Sequence, residues 1–256
     1  MSRVHAVIPD CQVKPNVDTG HLRLIGNFLA EKKPDVIVQI GDFADMPSLS
    51  SYDVGKRSFE GRRYVNDTEA VQEAMKVLME PIEEERGRLR RNKEKQWNPE
   101  LHLTLGNHEN RITRAIENDP RLDGTLSLDD LGYKSFGWDV HDFLNPIFID
   151  GVGYAHYFTS GPMGRPVANA RQLVLKKLQS CVMGHVQHWD LHRTFRADGT
   201  GVIGLFCGSC YTHDEDYLGP QGNHYTRGIW ILHEVENGDF QPMYVSLDFL
   251  GKKYDY

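Results

Sequence analysis

The chain has 256 residues, 39% hydrophobic and 25% charged, the proportions of an ordinary globular protein with one sizeable domain. A formal net charge of −7 excludes the basic footprint of a protein that coats nucleic acid, though not an enzyme whose metal ions supply local positive charge. No stretch approaches the roughly 18 apolar residues of a membrane span, and the start reads as a strand rather than an apolar leader. The expectation is a cytoplasmic protein, off the membrane, with its four cysteines reduced.

Val4–Pro9 is apolar and ends at Asp10-Cys11-Gln12. Asp18 is expected to cap a helix with Leu22, Ile25, Phe28 and Leu29 on one face, and Pro34 to end it. Val36–Ile40 is nearly continuous in apolar residues, the mark of a strand buried on both faces, and it runs into Gly41-Asp42-Phe43-Ala44-Asp45. Strand, helix and strand, with acids at both strand ends, make a βαβ unit with carboxylates at one edge. An irregular stretch rich in Ser, Arg and Tyr follows from Met46 to Tyr64. From Asn66 to Arg91, residues Val71, Ala74, Met75, Leu78 and Ile82 recur at helical spacing, and the mixed-charge tail reads as a solvated face. Leu101–Leu105 is a third strand, followed at once by Gly106-Asn107-His108-Glu109.

Arg111–Asp142 starts helical and then loses its period among Gly, Asp and Pro, as an insertion would. Pro146–His156 reads as a hairpin turning at Asp150-Gly151, Arg165–Leu178 as a helix, and Cys181–Met183 as a short strand ending in Gly184-His185-Val186-Gln187-His188. Leu191–Phe195 and Val202–Phe206 flank a turn at Asp198-Gly199, and Ile229–Val235 pairs with Pro242–Leu247 across Asn237-Gly238. The expected organisation is a single domain over 1–256, with segments 46–100 and 111–142 as candidate caps or inserts.

Five apolar runs therefore end in side chains able to bind metal: Asp10 and Gln12; Asp42 and Asp45; Asn107 and His108; His156; and His185 with Gln187 or His188. Each alone has an ordinary explanation, since Asp and Asn favour turns and a single histidine is usually a satisfied polar group. Five in series at one sheet edge point to a site. Oxygen ligands suit hard cations, imidazoles suit transition metals, and His108 can move a proton near neutral pH. Cys207-Gly-Ser-Cys210 has zinc-knuckle spacing, but without a second Cys-x-x-Cys the cysteines read as buried thiols. Arg111 could reach a phosphate or form a surface ion pair. Tyr211, His213, Asp214 and Asp216 could line a substrate mouth, and Arg57, Arg62 and Arg63 form a small basic patch.

Taken in order, Asp-x-(His or Gln), Gly-Asp-x-x-Asp, Gly-Asn-His-Glu, a strand-end His and Gly-His-x-(His or Gln) resemble the motifs of the calcineurin-like metallophosphoesterases, over Val4 to about Cys210. The form seen here is similar to a branch often carried by phages and prophages. The resemblance implies an α/β fold of two packed mixed sheets flanked by helices. It also implies hydrolysis of a phosphate ester by a hydroxide activated between two metal ions. Asp42 would bridge the ions; Asp10 and Gln12, with Gln187 or His188, would hold the first, and Asn107, His156 and His185 the second. His108 would be the acid or phosphate-orienting group, supported by Asp45, with Arg111 and His213 as candidates for substrate contact.

The family usually has His where this chain has Gln12 and Gln187. The first site would then be nearly all oxygen and would bind its ion more weakly than the second. Two divalent ions are the expected cofactors, Mn²⁺ first, with Mg²⁺, Zn²⁺, Fe or Ni as alternatives. The expected substrate is a phosphodiester, nucleic acid or nucleotide; a phosphomonoester is the alternative. A binding scaffold that has lost its chemistry is the third reading, and the retained Asp42, Asn107, His108, His156 and His185 weigh against it.

Overall fold

The computed structural model describes residues 2–214 and 225–255. Strand β1 (Arg3–Ile8) leads through helix α1 (Gly20–Lys32) into β2 (Val36–Gln39), which lies parallel to β1 with Ala6 beside Ile37. The helix starts after Thr19 rather than at a capping Asp18: no side chain caps it, and Asp18 Oδ1 accepts the Gly20 N–H instead. Helix α2 (Tyr64–Arg91) packs on α1, and Gly26 permits the close approach, because a Cβ there would collide with the Leu78 carbonyl. The residues expected on its inner face, Val71, Ala74, Met75, Leu78 and Ile82, are all buried. Within segment 46–100, helix α2 is therefore part of the packed body.

Strand β3 (Glu100–Thr104) joins β2 in parallel and is followed by α3 (Asn110–Asn118). The stretch from 111 to 142 then returns to the sheet as β4 (Asp139–His141), parallel to β3. Three residues are too few to show a period, so this edge strand is hidden in what reads as an insertion. The hairpin β5 (Ile147–Ile149) and β6 (Val152–Ala155) turns where Asp150-Gly151 predicts. Helix α4 (Ala170–Lys177) begins later than its periodicity suggests, because Asn169 caps it by accepting the Gln172 N–H. Strands β7 (Cys181–Met183), β8 (Trp189–Phe195), β9 (Gly201–Cys207), β10 (Gly228–Glu236) and β11 (Asp239–Ser246) follow, and α5 (Leu247–Lys253) closes the order.

One sheet runs β11-β10-β1-β2-β3-β4 and the other β5-β6-β7-β9-β8; both mix parallel and antiparallel pairs. Alternation along the strands decides what each face meets. Val7, Val38 and Ile40 share a core with Val182, Ile203 and Leu205 of the other sheet. Ala6, Ile8, Ile37 and Leu103 point the opposite way, into the core formed with α1 and α2. Ala155, Met183 and Phe206 line the outer face of the second sheet beneath Ala170 and Leu173 of α4. The architecture is thus α/β: two mixed sheets face to face, with helices outside. Among the described residues no helix is long and apolar enough to cross a membrane.

Candidate metal centre

The parallel strands β1, β2, β3, β6 and β7 deliver Asp10, Asp42, Asn107, His156 and His185 from their carboxyl ends. Asp10, Asp42 and His156 are essentially buried. Close approach of these loops depends on glycines. A Cβ at Gly106 would strike the Asp42 carboxylate, and one at Gly184 the Asp10 carboxylate. Gly41 sits at φ +92°, and a Cβ there would lie 2.7 Å from His156 Nδ1. Gln12, Asp42 and His185 take left-handed backbone at φ 42°, 50° and 66°, a conformation that non-glycine residues adopt at a cost and that clusters at functional sites. The N–H groups of Cys11 and Gln12 bond the Asp42 carbonyl at 3.0 and 2.9 Å, which ties the first two loops together.

Asn107 Oδ1 lies 3.0 Å from His156 Nε2 and 2.9 Å from His185 Nδ1. His156 Nε2 is also 3.2 Å from Asp42 Oδ2, while its Nδ1 bonds the Ile40 carbonyl at 3.1 Å. That second bond fixes which nitrogen faces the site. Asp42, His156 and His185 present ligand atoms within 4.8 Å of one another. On the other side, Asp10 accepts the His185 N–H at 3.1 Å and Gln187 Nε2 at 2.9 Å. Gln187 Oε1 is buried with no hydrogen-bond partner among the described residues. An orphaned buried acceptor costs on the order of 1–3 kcal/mol unless a donor or cation meets it. Gln187 thus stands beside Asp10, while the neighbouring His188 is exposed.

Charge is strongly perturbed here. Burial, with Asp42 nearby, pushes the Asp10 carboxyl up to about 7. Asp42 goes the other way: burial opposes it, but the charges of His108 and His156 hold it well below the usual carboxylate range. Burial would lower His156, yet Asp42 outweighs it and raises the ring to about 9. His185 is pulled down to about 4 by burial and by His156. Two buried carboxylates, two imidazoles and the amide oxygens of Asn107 and Gln187, the latter without a partner among the described residues, are a donor set that fits divalent cations, with Gln12 adjoining them in sequence.

Beside this set, His108 Nδ1 meets Asp45 Oδ1 at 2.7 Å, and its backbone N–H donates to Asp42 Oδ1 at 2.9 Å. Its Nε2 therefore turns toward the centre, 3.8 Å from Asp42 Oδ2. Burial works against protonation of His108, but Asp42 and the Asp45 bond outweigh it and raise the pKa. Asp45, despite burial, is pulled down to about 2 by its bond to His108. Arg111 is built into the site rather than lying on the surface: Nη1 donates to the Asp45 carbonyl at 2.6 Å, and Nη2 lies 3.4 Å from His108 Nε2.

Glu109 is the residue that motif reading left without a role. It is wholly buried. Its Oε2 accepts the N–H groups of Asp42 and Gly106 at 3.0 and 2.9 Å, and its Oε1 accepts the Ala44 N–H at 2.9 Å and the Tyr133 hydroxyl at 3.2 Å. One carboxylate thus latches the β2 and β3 loops that carry Asp42 and Asn107. The available signal was its place directly after Asn107-His108.

His213 stacks on Tyr211 at 4.6 Å, and its carbonyl accepts Arg227; it is not part of the Asp42–His156–His185 group. Asp216 lies outside the described residues. Arg62 folds onto its own loop, donating to Asp53 at 2.8 Å and to the Pro47 carbonyl at 3.0 Å. The four cysteines are free and buried, and Cys11 Sγ lies 3.2 Å from Cys210 Sγ. No known protein-family model and no curated protein matches the chain.

Proposed function

We propose that the protein is a metal-dependent phosphoesterase of the calcineurin-like kind, acting on phosphodiesters of the nucleic-acid or nucleotide class. The observation that carries the proposal is the cage of donors from five strand ends, with Gln187 Oε1 buried and unpartnered beside Asp10. Asp10, Gln12, Asp42 and Gln187 would hold one cation, and Asp42, Asn107, His156 and His185 the other. Bound there, two divalent cations supply Lewis acidity toward a phosphoryl group and a nucleophile from water at neutral pH. Mn²⁺ suits the oxygen-rich half best.

The chain's own residues supply the rest. His108 offers its Nε2 proton to the departing oxygen, with Asp45 holding Nδ1 and setting the ring's direction. Arg111 Nη2, next to that nitrogen, is placed for a phosphate oxygen. Glu109 keeps the two loops in register. The diester preference rests on the resemblance to the phage-borne branch. The test is hydrolysis of bis-p-nitrophenyl phosphate beside p-nitrophenyl phosphate, on apo protein with Mn²⁺, Mg²⁺ or Zn²⁺ restored and His108→Ala as control. Manganese-dependent diester cleavage lost in the variant is expected. Monoester cleavage alone would make the protein a phosphatase, and bound ions without turnover would make it a scaffold.

A further inference from the structure

We propose a second metal site, separate from the strand-end centre, in which His102 of β3 and Asp139 and His141 of β4 hold one divalent transition-metal ion, zinc by preference. The pairing of β3 with β4 creates it. His102 sits beside Asp139 and Thr104 beside His141 in the parallel register. Leu101 and Leu103 pack into the helix-side core, so alternation puts His102 on the opposite face of the sheet. The three ligand atoms gather within 4.8 Å.

The distances suit coordination as well as the hydrogen bond between the two rings. His102 Nδ1 is 3.1 Å from His141 Nε2, and Asp139 Oδ2 is 3.8 Å from the first nitrogen and 3.6 Å from the second. The carboxylate is too far from either ring to hydrogen-bond. Yet a triangle of these sides has its corners about 2.0 Å from a common centre, the length of a zinc–imidazole or zinc–carboxylate bond. Two imidazoles and a carboxylate are the borderline donors zinc accepts.

Features around the triangle fit the same reading. The far nitrogen of His102 is buried with no hydrogen-bond partner among the described residues, and the Glu100 carboxylate stands 3.5 Å from it. Carboxylate, imidazole and metal in a row is the arrangement that orients a ligand ring. Asp139 is 69% exposed at its side chain, which leaves a fourth position open to water and the ion open to exchange. Since β4 is an edge strand joined only to β3, the ion's role is structural: it clips the end of the 111–142 segment to the sheet.

The inference uses none of the chemistry of the strand-end centre, and its test separates the two. Zinc bound per chain is counted by elemental analysis and by competition with a chromophoric chelator, in the wild type, Asp139→Asn and His141→Gln. Each variant is expected to hold one equivalent fewer than the wild type, whatever the wild-type total, with the zinc-free melting of Asp139→Asn unchanged. Glu100→Gln is expected to weaken that equivalent about tenfold. Phosphoester hydrolysis should be the same in all four chains. Equal zinc counts and affinities in wild type and Asp139→Asn, whose exposed side chain has no part in folding the core, would overturn the proposal.

Discussion

Replacing Glu109 by Gln changes a single atom type at the centre of the loop latch. Three backbone N–H groups and one hydroxyl converge on the carboxylate, two on each oxygen. A glutamine keeps one oxygen and turns the other into a donor. Whichever way the amide faces, its NH₂ opposes at least one buried backbone N–H, that of Ala44 or those of Asp42 and Gly106. A buried donor left unsatisfied costs about 1–3 kcal/mol, and hydrogen bonds to a charged acceptor are worth about 1.5–3 kcal/mol each. Burial and the neighbouring Asp42 raise the Glu109 pKa, so losing the charge recovers part of this. The expected net loss is about 2–4 kcal/mol. Urea unfolding followed by circular dichroism should show a lower midpoint at unchanged slope. The strand-end centre should also bind its ions more weakly, since the latch positions Asp42 and Asn107. A loss under about 1 kcal/mol would refute the reasoning.

Other substitutions probe neighbouring parts of the account. Gly106→Ala drives a methyl into the Asp42 carboxylate, and should cost about 1–3 kcal/mol in urea unfolding together with metal binding; wild-type behaviour would show that the close approach is not needed. Gln187→His replaces the unpartnered amide oxygen by an imidazole, so calorimetric titration should show the weaker ion bound more tightly and Zn²⁺ gaining on Mn²⁺. An unchanged pair of affinities would mean that Gln187 is not a ligand. His21 is buried, and that burial, only partly offset by Asp18, lowers its pKa to about 4. The unfolded chain takes up a proton on it near pH 6.5 while the folded chain does not, so its contribution is fully present above that pH. It is lost as the pH falls toward 4, by up to about 3 kcal/mol. Urea midpoints across that range should fall less steeply in His21→Leu, and equal slopes would contradict the assignment.

What the sequence shows best is local. Cys181–Met183 is a strand in both readings, and the Asp150-Gly151 and Asn237-Gly238 turns fall where their dihedral demands put them. The strand-end polar residues are visible because each follows its own apolar run. What depends on which strand neighbours which is hidden. β4 is three residues long and gains its identity only by pairing with β3. His102 and His141 stand 39 residues apart in sequence and meet only through that pairing. Glu109 was in view as the last letter of its motif, but its partners Asp42 and Ala44 come from the β2 loop. Arg111 could be read as a surface residue because only the folded chain places the Asp45 and Met46 carbonyls around its guanidinium. Between Gln187 and His188, only the folded chain shows that Gln187 donates to Asp10.

The central claim is that the buried carboxylate of Asp42 organises a metal-dependent phosphoesterase. Its most direct test titrates Mn²⁺ into chelator-stripped wild-type and Asp42→Asn protein, reading bound ions and bis-p-nitrophenyl phosphate turnover in the same samples. The account predicts no turnover without metal and activity that rises with ion binding in the wild type. In Asp42→Asn both the binding at this centre and the turnover should be lost while the fold is kept. Turnover in the stripped wild type, or an Asp42→Asn protein that hydrolyses as the wild type does, would contradict it.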